Sequence, residues 1–434
     1  MNKSKLKGEA VFIVDGARTP QLKAQGQPGP FQASDLGFLA SRSLLARLPI
    51  QADQIDQVIV GCVGPGPDEA NIARIIGLRL GCGEYTPAWT VQRNCASGLQ
   101  AIDTAALEIA SGRSKLILAG GTEAMSHHPV LLSTMMVNWL GLWSKARTVS
   151  DKGRLLAKLK PTYLKPVISL LRGLTDPVVG LSMGQTAEEL AFKFNISRHA
   201  MDEFAVRSHM RLGKAIDDGH LDEIVPIYDD QGVIYEKDDG YRSDSSMEKL
   251  HKLRPVFDRQ TGKVTAANSA QVSDGAAMLV LASESAIKKY SLPVLGRIVD
   301  TEWAGLAPEQ MGLGPVHAMS PIMTRHNLNS DDIDFWEINE AFAAQVLACT
   351  KAWSNNEFCK DTLKLTQPYT PIDPEHLNID GGGISLGHPV GASGARIVLH
   401  LLNTLKRENK KRGMASLCIG GGQGGAIMLE AAGG

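Results

Sequence analysis

Short apolar runs alternate with longer amphipathic segments along this chain. Residues 10–14, 57–60 and 116–119 are rich in valine, isoleucine, leucine and alanine, a pattern that predicts buried strands. Residues 71–80 and 96–111 instead repeat apolar positions at helical spacing, and both predict helices. Alternation of strands with helices is typical of an α/β fold, in which helices cover a largely buried sheet.

An internal repeat lies within this alternation. Residues 96–121 and 392–421 both begin with Ala-Ser-Gly and continue with a helical pattern, a basic turn, a strand and a glycine pair. A four-residue insertion in the basic turn of the second copy aligns the two segments. Because the features match in order, we infer a duplication that divides the chain into residues 1–289 and 290–434, with an insertion at 122–263 in the first half.

The composition argues against several classes of protein. The 434 residues carry 45 basic and 46 acidic side chains, a balance that argues against nucleic acid as the main partner. No apolar run approaches the ~18 residues of a membrane span, and the start of the chain resembles neither a signal peptide nor a transit peptide. Six cysteines without a Cys-x-x-Cys pair favour a reducing, cytoplasmic compartment, and no ligand spacing predicts a metal site.

A strongly basic segment interrupts this balance. Residues 145–172 contain eight basic side chains against Asp151 alone, and their leucines fall near helical spacing broken by Pro161 and Pro166. One interpretation is a solvated cap on the domain. The other is a basic amphipathic hairpin that binds a membrane surface, a partner subunit or an anionic substrate. The sequence leaves both interpretations open.

Cys95 is the first candidate for chemistry. It stands immediately before the helical pattern at 96–111, and the free N–H groups and positive end of a helix favour a thiolate there. A buried structural cysteine is the alternative interpretation, and we adopt it for Cys62, Cys82, Cys349 and Cys359.

Further candidates lie in the second half of the chain. His388 precedes the second-copy helix as Cys95 precedes the first, so under pseudo-symmetry both side chains point into one cleft, close enough for proton transfer. Cys418 ends the second-copy strand where the first copy has Leu118, so the repeat does not explain this thiol. The polar pair at 339–340 lies between apolar residues and belongs either to a buried hydrogen-bond network or to a site.

Seven ordered blocks carry a resemblance to the thiolases over almost the whole chain. Three lie near residues 94–98, 120–126 and 183–188, and four follow at 265–268, 339–342, 387–394 and 418–422. The resemblance implies an α/β fold, a duplicated five-layer α-β-α-β-α sandwich with a loop-domain insertion in its first half. Related ketosynthases are expected to use Cys-His-His, so Cys418 favours a thiolase.

The resemblance also implies roles. Cys95 would be the nucleophile that accepts an acyl group, His388 would activate it, and Cys418 would carry a proton to or from the thiol or the acetyl α-carbon. His388 with a water held by Asn339 resembles one oxyanion hole, and the backbone N–H groups of Cys95 and Gly420 resemble a second. The residues of the matched blocks expected to bind substrate are Met183, Ala266, Ser269 and Phe342.

The implied reaction cleaves 3-ketoacyl-CoA with CoA into acetyl-CoA and an acyl-CoA two carbons shorter, as in fatty-acid β-oxidation. CoA and acyl-CoA are the substrates, and no metal or redox cofactor is implied. A biosynthetic acetyl-CoA C-acetyltransferase that makes acetoacetyl-CoA is the alternative. A non-catalytic protein that binds acyl-CoA or lipid is a third hypothesis, from another functional class. The family further implies a homodimer or tetramer.

Departures from the family pattern bear on substrate and partner. Ser182 stands where many short-chain thiolases have His, and Ala270 replaces a serine that commonly contacts CoA. The basic segment 145–172 and the stretch at 266–269 are most similar to the β subunits of β-oxidation complexes, which work beside a hydratase–dehydrogenase subunit on longer substrates. Asn339, however, stands where the β subunit of the bacterial anaerobic-type complex tends to carry His.

Overall fold

The computed structural model describes residues 6–433; the part of the signal-peptide prediction that falls on residues 1–5 lies outside them. The strands are β1 (Val11–Arg18), β2 (Leu22–Lys23), β3 (Gln57–Gly61), β4 (Ala88–Val91), β5 (Leu116–Ala124), β6 (Val130–Leu131), β7 (Val167–Ile168), β8 (Ile227–Tyr228), β9 (Ile234–Tyr235), β10 (Ser273–Ser283), β11 (Gly296–Gly305), β12 (Phe335–Ile338), β13 (Arg412–Ile419) and β14 (Gln423–Ala431).

Helices make up most of the remaining regular structure. They are α1 (Ala33–Leu45), α2 (Ile72–Leu80), α3 (Ser97–Ala110), α4 (Thr134–Lys145), α5 (Val149–Ala157), α6 (Ser169–Gly173), α7 (Met183–Lys193), α8 (Arg198–Asp217), α9 (Met247–His251), α10 (Glu284–Tyr290), α11 (Gly314–His326), α12 (Ala343–Ser354), α13 (Asn356–Asp361), α14 (Gly383–Leu386) and α15 (Ser393–Arg407). Among the helices of residues 6–433, none is long and apolar enough to cross a membrane.

Local sequence accounts for the ends of the predicted elements. The Asn71 side chain accepts a hydrogen bond from the backbone N–H of Arg74 and so caps α2, which ends at Gly81 in the left-handed conformation. The predicted strand at 116–119 continues to Ala124 as β5, because the glycine pair that follows it lies within the strand rather than ending it. Gly120 is needed there, since a Cβ would stand 2.2 Å from the carbonyl oxygen of Ala277 on β10.

The main sheet repeats one strand pattern in the two halves. In the first half β3 is parallel to β5, β5 is antiparallel to β10, and β10 is antiparallel to β1. In the second half β12, β13, β14 and β11 are related in the same way and in the same order. The strand β4 extends the first half only, and β1 also pairs with β11, so the two halves form one continuous sheet. The sheet therefore carries the duplication that the sequence repeat predicts.

Three apolar clusters define the five layers. One cluster lies between α1 and α2 and the outer face of the first half of the sheet, and another lies between α11 and α12 and the outer face of the second half. The third surrounds α3 and α15, which pack against strands of both halves. The order is therefore helix, sheet, helix, sheet, helix, which is the predicted fold class.

The two central helices meet at their first turns. A Cβ on Gly98 would stand 2.7 Å from the carbonyl oxygen of Gly391, and a Cβ on Gly394 would stand 2.5 Å from the backbone nitrogen of Leu99. Both glycines belong to the repeated Ala-Ser-Gly motifs, so these motifs let the backbones of α3 and α15 touch. The residues just before each helix are thereby brought to the same place.

The insertion in the first half lies between β5 and β10. These strands bound it at residues 125–272, so the predicted insertion at 122–263 starts inside β5 and ends before the loop that reaches β10. Its helices α7 and α8 join the outer cluster of the second half, whereas α4 and α5 form a hairpin whose base is the strand pair of β6 and β7. The predicted boundary between residues 289 and 290 falls at the C-terminal end of α10, shortly before β11.

Substitution of Gly98 by alanine tests the contact between α3 and α15. The added methyl group meets backbone atoms that cannot move independently, so we expect a loss of about 1–3 kcal/mol in the free energy of unfolding. Gly141→Ala is the matched control, because Gly141 lies in the exposed helix α4 with no atom within 4 Å of its Cβ position. Thermal unfolding at one protein concentration measures both, and an unchanged midpoint for Gly98→Ala would contradict the contact.

Candidate active site

A tight turn presents Cys95 at the start of α3. Asn94 has a left-handed backbone with φ of 43°, and Ala96 occupies the N-cap position of the helix without a side-chain capping bond. The hydroxyl of Ser97 accepts a hydrogen bond from the N–H of Arg93 at 2.9 Å and donates one to the carbonyl oxygen of Asn94 at 2.7 Å. These bonds close the turn, so the Cys95 side chain is held beside the N-terminus of α3, as the sequence predicts.

His388 precedes α15 and is held by its neighbours. Ser393 Oγ lies 3.1 Å from the carbonyl oxygen of Pro389, to which it can only donate, and 2.6 Å from Nδ1 of His388. In the tautomer in which the Ser393 hydroxyl donates to Pro389, Nδ1 carries the imidazole proton and donates it to Ser393. Nε2 is left as the acceptor; it is buried and has no hydrogen-bond partner among residues 6–433.

The second thiol and the Asn339 amide lie behind these two groups. Cys418 is 1% exposed near the end of β13 and faces the same apolar cluster as α12. Nδ2 of Asn339 is 3.5 Å from Nδ1 of His388, and its Oδ1 is buried without a hydrogen-bond partner within the described part of the chain. An acceptor in that position is able to hold a polar group close to His388.

Glu340 belongs to a different network. Its carboxyl group accepts hydrogen bonds from the hydroxyl of Ser208 at 2.7 Å, the amide of Asn378 at 2.9 Å and the backbone N–H of Ile384 at 3.2 Å. These bonds fix α14, which leads into His388. The polar pair at 339–340 is thus divided, with Asn339 beside the imidazole and Glu340 in a buried structural network.

Burial sets the protonation of the thiols and the imidazole. It raises the pKa of Cys95 to about 11, although backbone N–H groups, first that of Gly420, lower it in part. Burial, with a smaller effect from Arg396, lowers the pKa of His388 to about 4. Burial also raises the pKa of Cys418 well above its usual value. At neutral pH all three groups are therefore uncharged.

This result corrects one expectation from the sequence. The position of Cys95 before a helix predicts a thiolate, and the backbone N–H groups of Gly420 and of Cys95 itself do act in that direction. The loss of water around the sulfur is the larger effect, because elements of both halves enclose it. Any ionisation of Cys95 at neutral pH must then be coupled to a base that accepts its proton.

One cavity collects most of the predicted site. It has a volume of about 290 Å³ and is lined by all three of Cys95, His388 and Cys418. Three of the residues expected to bind substrate line it as well: Met183, Ser269 and Phe342. Several other lining residues were not predicted from the sequence, among them Met125, Leu171, Leu174, Phe257, Gln271 and Met311.

Ala266 does not reach this cavity. The hydroxyl of Ser269 donates to the carbonyl oxygen of Thr265 at 2.7 Å, and the amide oxygen of Asn268 accepts from the N–H of Thr265 at 2.8 Å. These bonds form a tight turn that leaves Ala266 exposed on its outside. Ala270, on the other side of the turn, lines the cavity instead.

A second cavity of about 470 Å³ adjoins the first at Cys95. Met125, Leu174, Met183 and Val390 line both cavities. The second continues past Gly420 and runs beneath the segment 169–177, which connects the α4–α5 hairpin to α7. The wall of the site is thus supplied partly by the insertion, to which Met183 also belongs.

Asn94 and Gly420 join the two halves at the nucleophile. The Asn94 side chain donates a hydrogen bond to the carbonyl oxygen of Gly420 at 2.8 Å, while the N–H of Gly420 is directed to the sulfur of Cys95. A Cβ on Gly420 would lie 3.1 Å from Sδ of Met183, a flexible side chain. Gly420 was among the predicted site residues and Asn94 was not, although an asparagine next to the candidate nucleophile is a signal that could have found it.

Glu123 makes a second connection between the halves. Its carboxyl group accepts hydrogen bonds from the backbone N–H groups of Val63 and Gly64 at 2.9 Å each and of Gly391 at 3.0 Å. Nε2 of His128 lies 3.2 Å from the same group. Glu123 therefore positions the loop after β3 against the loop that follows His388.

Two family models and a curated relative match this chain over nearly its whole length. The model of the thiolase N-terminal domain matches residues 11–285, and that of the thiolase C-terminal domain matches residues 292–431. A 3-ketoacyl-CoA thiolase of Yersinia pestis (strain Pestoides F) is 36% identical over 428 residues, which cover 98% of this chain and 97% of that protein.

Two solved structures are similar over nearly the whole chain. The Bacillus anthracis acetyl-CoA acetyltransferase has a TM-score of 0.82 and 35% identity, covering 98% of this chain and 100% of its own. The human mitochondrial 3-ketoacyl-CoA thiolase in complex with CoA has a TM-score of 0.83 and 36% identity, covering 98% of each chain.

Replacement of Glu123 by glutamine tests the second connection. The backbone N–H groups approach both carboxyl oxygens, so an amide in either orientation turns its NH₂ toward a donor. Leaving a buried donor unpaired costs about 1–3 kcal/mol, and we expect a lower midpoint of thermal unfolding. Glu248→Gln, at a side chain that is 83% exposed, is the control and should change little. Equal midpoints for the two variants would refute the assigned role of Glu123.

Proposed function

This chain belongs to the thiolase family, and on that premise we propose that it is a 3-ketoacyl-CoA thiolase. It would cleave 3-ketoacyl-CoA with CoA into acetyl-CoA and an acyl-CoA two carbons shorter. The observation that carries the proposal is the single cavity lined by two thiols and an imidazole, contributed by both halves of the duplicated fold. The 36% identity to a named 3-ketoacyl-CoA thiolase over almost the full length supports it.

In the first half-reaction the Cys95 sulfur attacks the 3-keto carbon. Nε2 of His388 accepts the thiol proton, which its free lone pair allows. The bond between C2 and C3 then breaks, and the departing acetyl-CoA carbanion takes the proton of Cys418. An acyl group is left on Cys95, together with an imidazolium and the thiolate of Cys418. Two neutral groups become an ion pair inside the cavity, where their attraction is strong.

In the second half-reaction CoA releases the acyl group. Its thiol gives a proton to the Cys418 thiolate and attacks the thioester carbon, and Cys95 leaves and recovers its proton from His388. Each carbonyl develops negative charge during these steps. We propose that the backbone N–H groups of Cys95 and Gly420 stabilise one oxyanion, and that His388 with a water held by Asn339 stabilises the other. The unpaired Oδ1 of Asn339 supports the second assignment.

Covalent trapping tests the proposed nucleophile. Incubation of the protein with 3-ketoacyl-CoA in the absence of added CoA should leave an acyl adduct on the Cys95 peptide, detected by mass spectrometry. Cys95→Ala should abolish the adduct and lower turnover by several orders of magnitude. Cys82→Ala, at a buried cysteine outside both cavities, is the control and should retain both. A protein that binds acyl-CoA without forming an adduct would instead be the non-catalytic binder.

The alternative is a biosynthetic acetyl-CoA C-acetyltransferase that makes acetoacetyl-CoA. The similarity to the Bacillus anthracis acetyl-CoA acetyltransferase favours it. The second cavity favours the degradative role, because it offers apolar space next to Cys95 that an acetyl group does not need.

Thiolysis rates separate the two roles. We expect kcat/KM to increase from acetoacetyl-CoA to 3-ketohexadecanoyl-CoA, by up to roughly fourfold for each methylene group that becomes buried. Leu174→Trp, which narrows both cavities at a shared wall residue, should reduce the rate for the long substrate more than for acetoacetyl-CoA. Good cleavage of acetoacetyl-CoA with none of the long substrate would contradict the degradative role.

Assembly, cofactors and location are further parts of the proposal. A homodimer or tetramer is supported by β4, an edge strand of the main sheet with half-buried residues, since such an edge is able to pair with another chain. A hydratase–dehydrogenase partner remains a proposal. The proton and acyl transfers above use CoA thioesters and this chain's own residues, without a further cofactor. Six free thiols suit the cytoplasm.

A further inference from the structure

The hairpin of α4 and α5, here residues 130–172, is a built unit on the surface of the molecule. Val130 pairs with Ile168 at its base, where β6 and β7 run antiparallel. Nε1 of Trp139 donates a hydrogen bond to the carbonyl oxygen of Leu155 at 2.9 Å, which joins α4 to α5. Trp139 also stacks on Trp143, with 5.2 Å between the ring centroids. The hairpin therefore has a defined shape.

Its first helix presents apolar side chains to solvent. In α4, all of which is described, Trp139 alone is buried, and the helix carries no charged residue before Lys145. Val137 is 53% exposed and Leu142 is 57% exposed. Leu131, Leu140 and Leu156 are exposed on the same hairpin. Monomeric soluble proteins rarely expose so many neighbouring apolar side chains, and such surfaces mark contact sites.

The hairpin also carries a concentrated positive charge. All eight of its basic residues are exposed, against Asp151 as its one acidic residue. Within residues 6–433, only Arg154 among these cations forms an ion pair, at 3.7 Å from Asp151. The whole chain is nearly neutral, with 45 basic and 46 acidic side chains, so the residues outside the hairpin carry a net negative charge.

The combination of positive charge and exposed apolar side chains favours one binding partner for this surface over the others. A second copy bound through the same face would place the positive hairpin against itself, because a two-fold contact pairs identical patches. The phosphates of CoA would satisfy the cations and leave the apolar side chains of α4 in water. A surface that offers anionic groups above a hydrocarbon layer satisfies both. We propose that the α4–α5 hairpin docks the protein peripherally on an anionic lipid bilayer, a property beyond the proposed thiolase activity.

Vesicle binding by the full chain tests the proposal. We expect sedimentation with vesicles of phosphatidylglycerol and phosphatidylcholine in equal parts, and little with phosphatidylcholine alone. Changing Lys158, Lys160 and Lys165 together to glutamine should lower the partition coefficient roughly a hundredfold, since each cation near such a surface contributes about fivefold. The control changes Lys289, Lys360 and Lys410 to glutamine, which removes the same charge elsewhere and should have a much smaller effect.

A second pair of variants separates insertion from adsorption by charge alone. Val137→Asn with Leu142→Asn should lower binding roughly tenfold, and this loss should persist at high salt, which screens the cations. Phe192→Asn with Met210→Asn is the control, because these exposed apolar residues lie on α7 and α8 outside the hairpin. Equal binding by the apolar hairpin variant and the unaltered chain would overturn the lipid contact.

Three other results would also overturn it. They are the absence of vesicle binding by the unaltered chain at low salt, an equal loss in the two lysine triples, and capture of a hydratase–dehydrogenase protein by the hairpin without any lipid binding. Turnover of acetoacetyl-CoA and the KM for CoA should stay unchanged in the lysine variants. A raised KM for CoA in the triple at 158, 160 and 165 would assign the hairpin to CoA instead. Because the lipid assay needs no turnover, its failure leaves the proposed thiolase activity intact.

Discussion

The contact between the first turns of α3 and α15 is the constraint on which the rest of the molecule depends. Backbone touches backbone there because Gly98 and Gly394 have no Cβ. Cys95 lies just before one of these helices and His388 lies before the other, so the distance between the reactive groups follows from the approach of the helices. The hydrogen bonds of Glu123 and Asn94 then hold the neighbouring loops in register across the same junction.

Enclosure by both halves also determines the protonation states of the active-site groups in the absence of substrate. A thiol at a helix start would ionise readily in water, but the cavity removes most of the water that would solvate the charge. The same burial keeps His388 an unprotonated base with its acceptor nitrogen free. Because Cys95 and His388 are both neutral at rest, charges separate between them only when the substrate is bound. The hydrogen bond between His388 and Ser393 fixes the orientation of the imidazole for this proton transfer.

The periodicity of apolar residues and the internal repeat were enough to predict the duplicated α/β fold and the central part of the site. The repeat at 96–121 and 392–421 indicated the duplicated sheet, and the placement of Cys95 and His388 relative to that repeat indicated one shared cavity. The resemblance to the thiolases added Cys418, which the repeat does not explain. The pKa of Cys95 is raised and not lowered as predicted, because the burial of its sulfur depends on elements that are remote in sequence. Ala266 lies outside the cavity because a hydrogen-bonded turn, invisible in composition, faces it outward. The wall residues Leu174 and Phe257 gave no signal, since apolar residues in an insertion resemble any other core residues.

The unequal ends of the two repeated strands have a consequence for how such a fold evolves. Leu118 fills the apolar cluster of the first half, whereas Cys418 at the matching place opens onto the cavity. A symmetric pair of identical subunits would have to carry the same residue at both places. Fusion of the copies into one polypeptide removes that restriction. The first copy is then free to supply the nucleophile, and the second is free to supply the groups that transfer protons. The two halves thus keep the same arrangement of strands and helices, while their equivalent positions carry residues with different chemical roles.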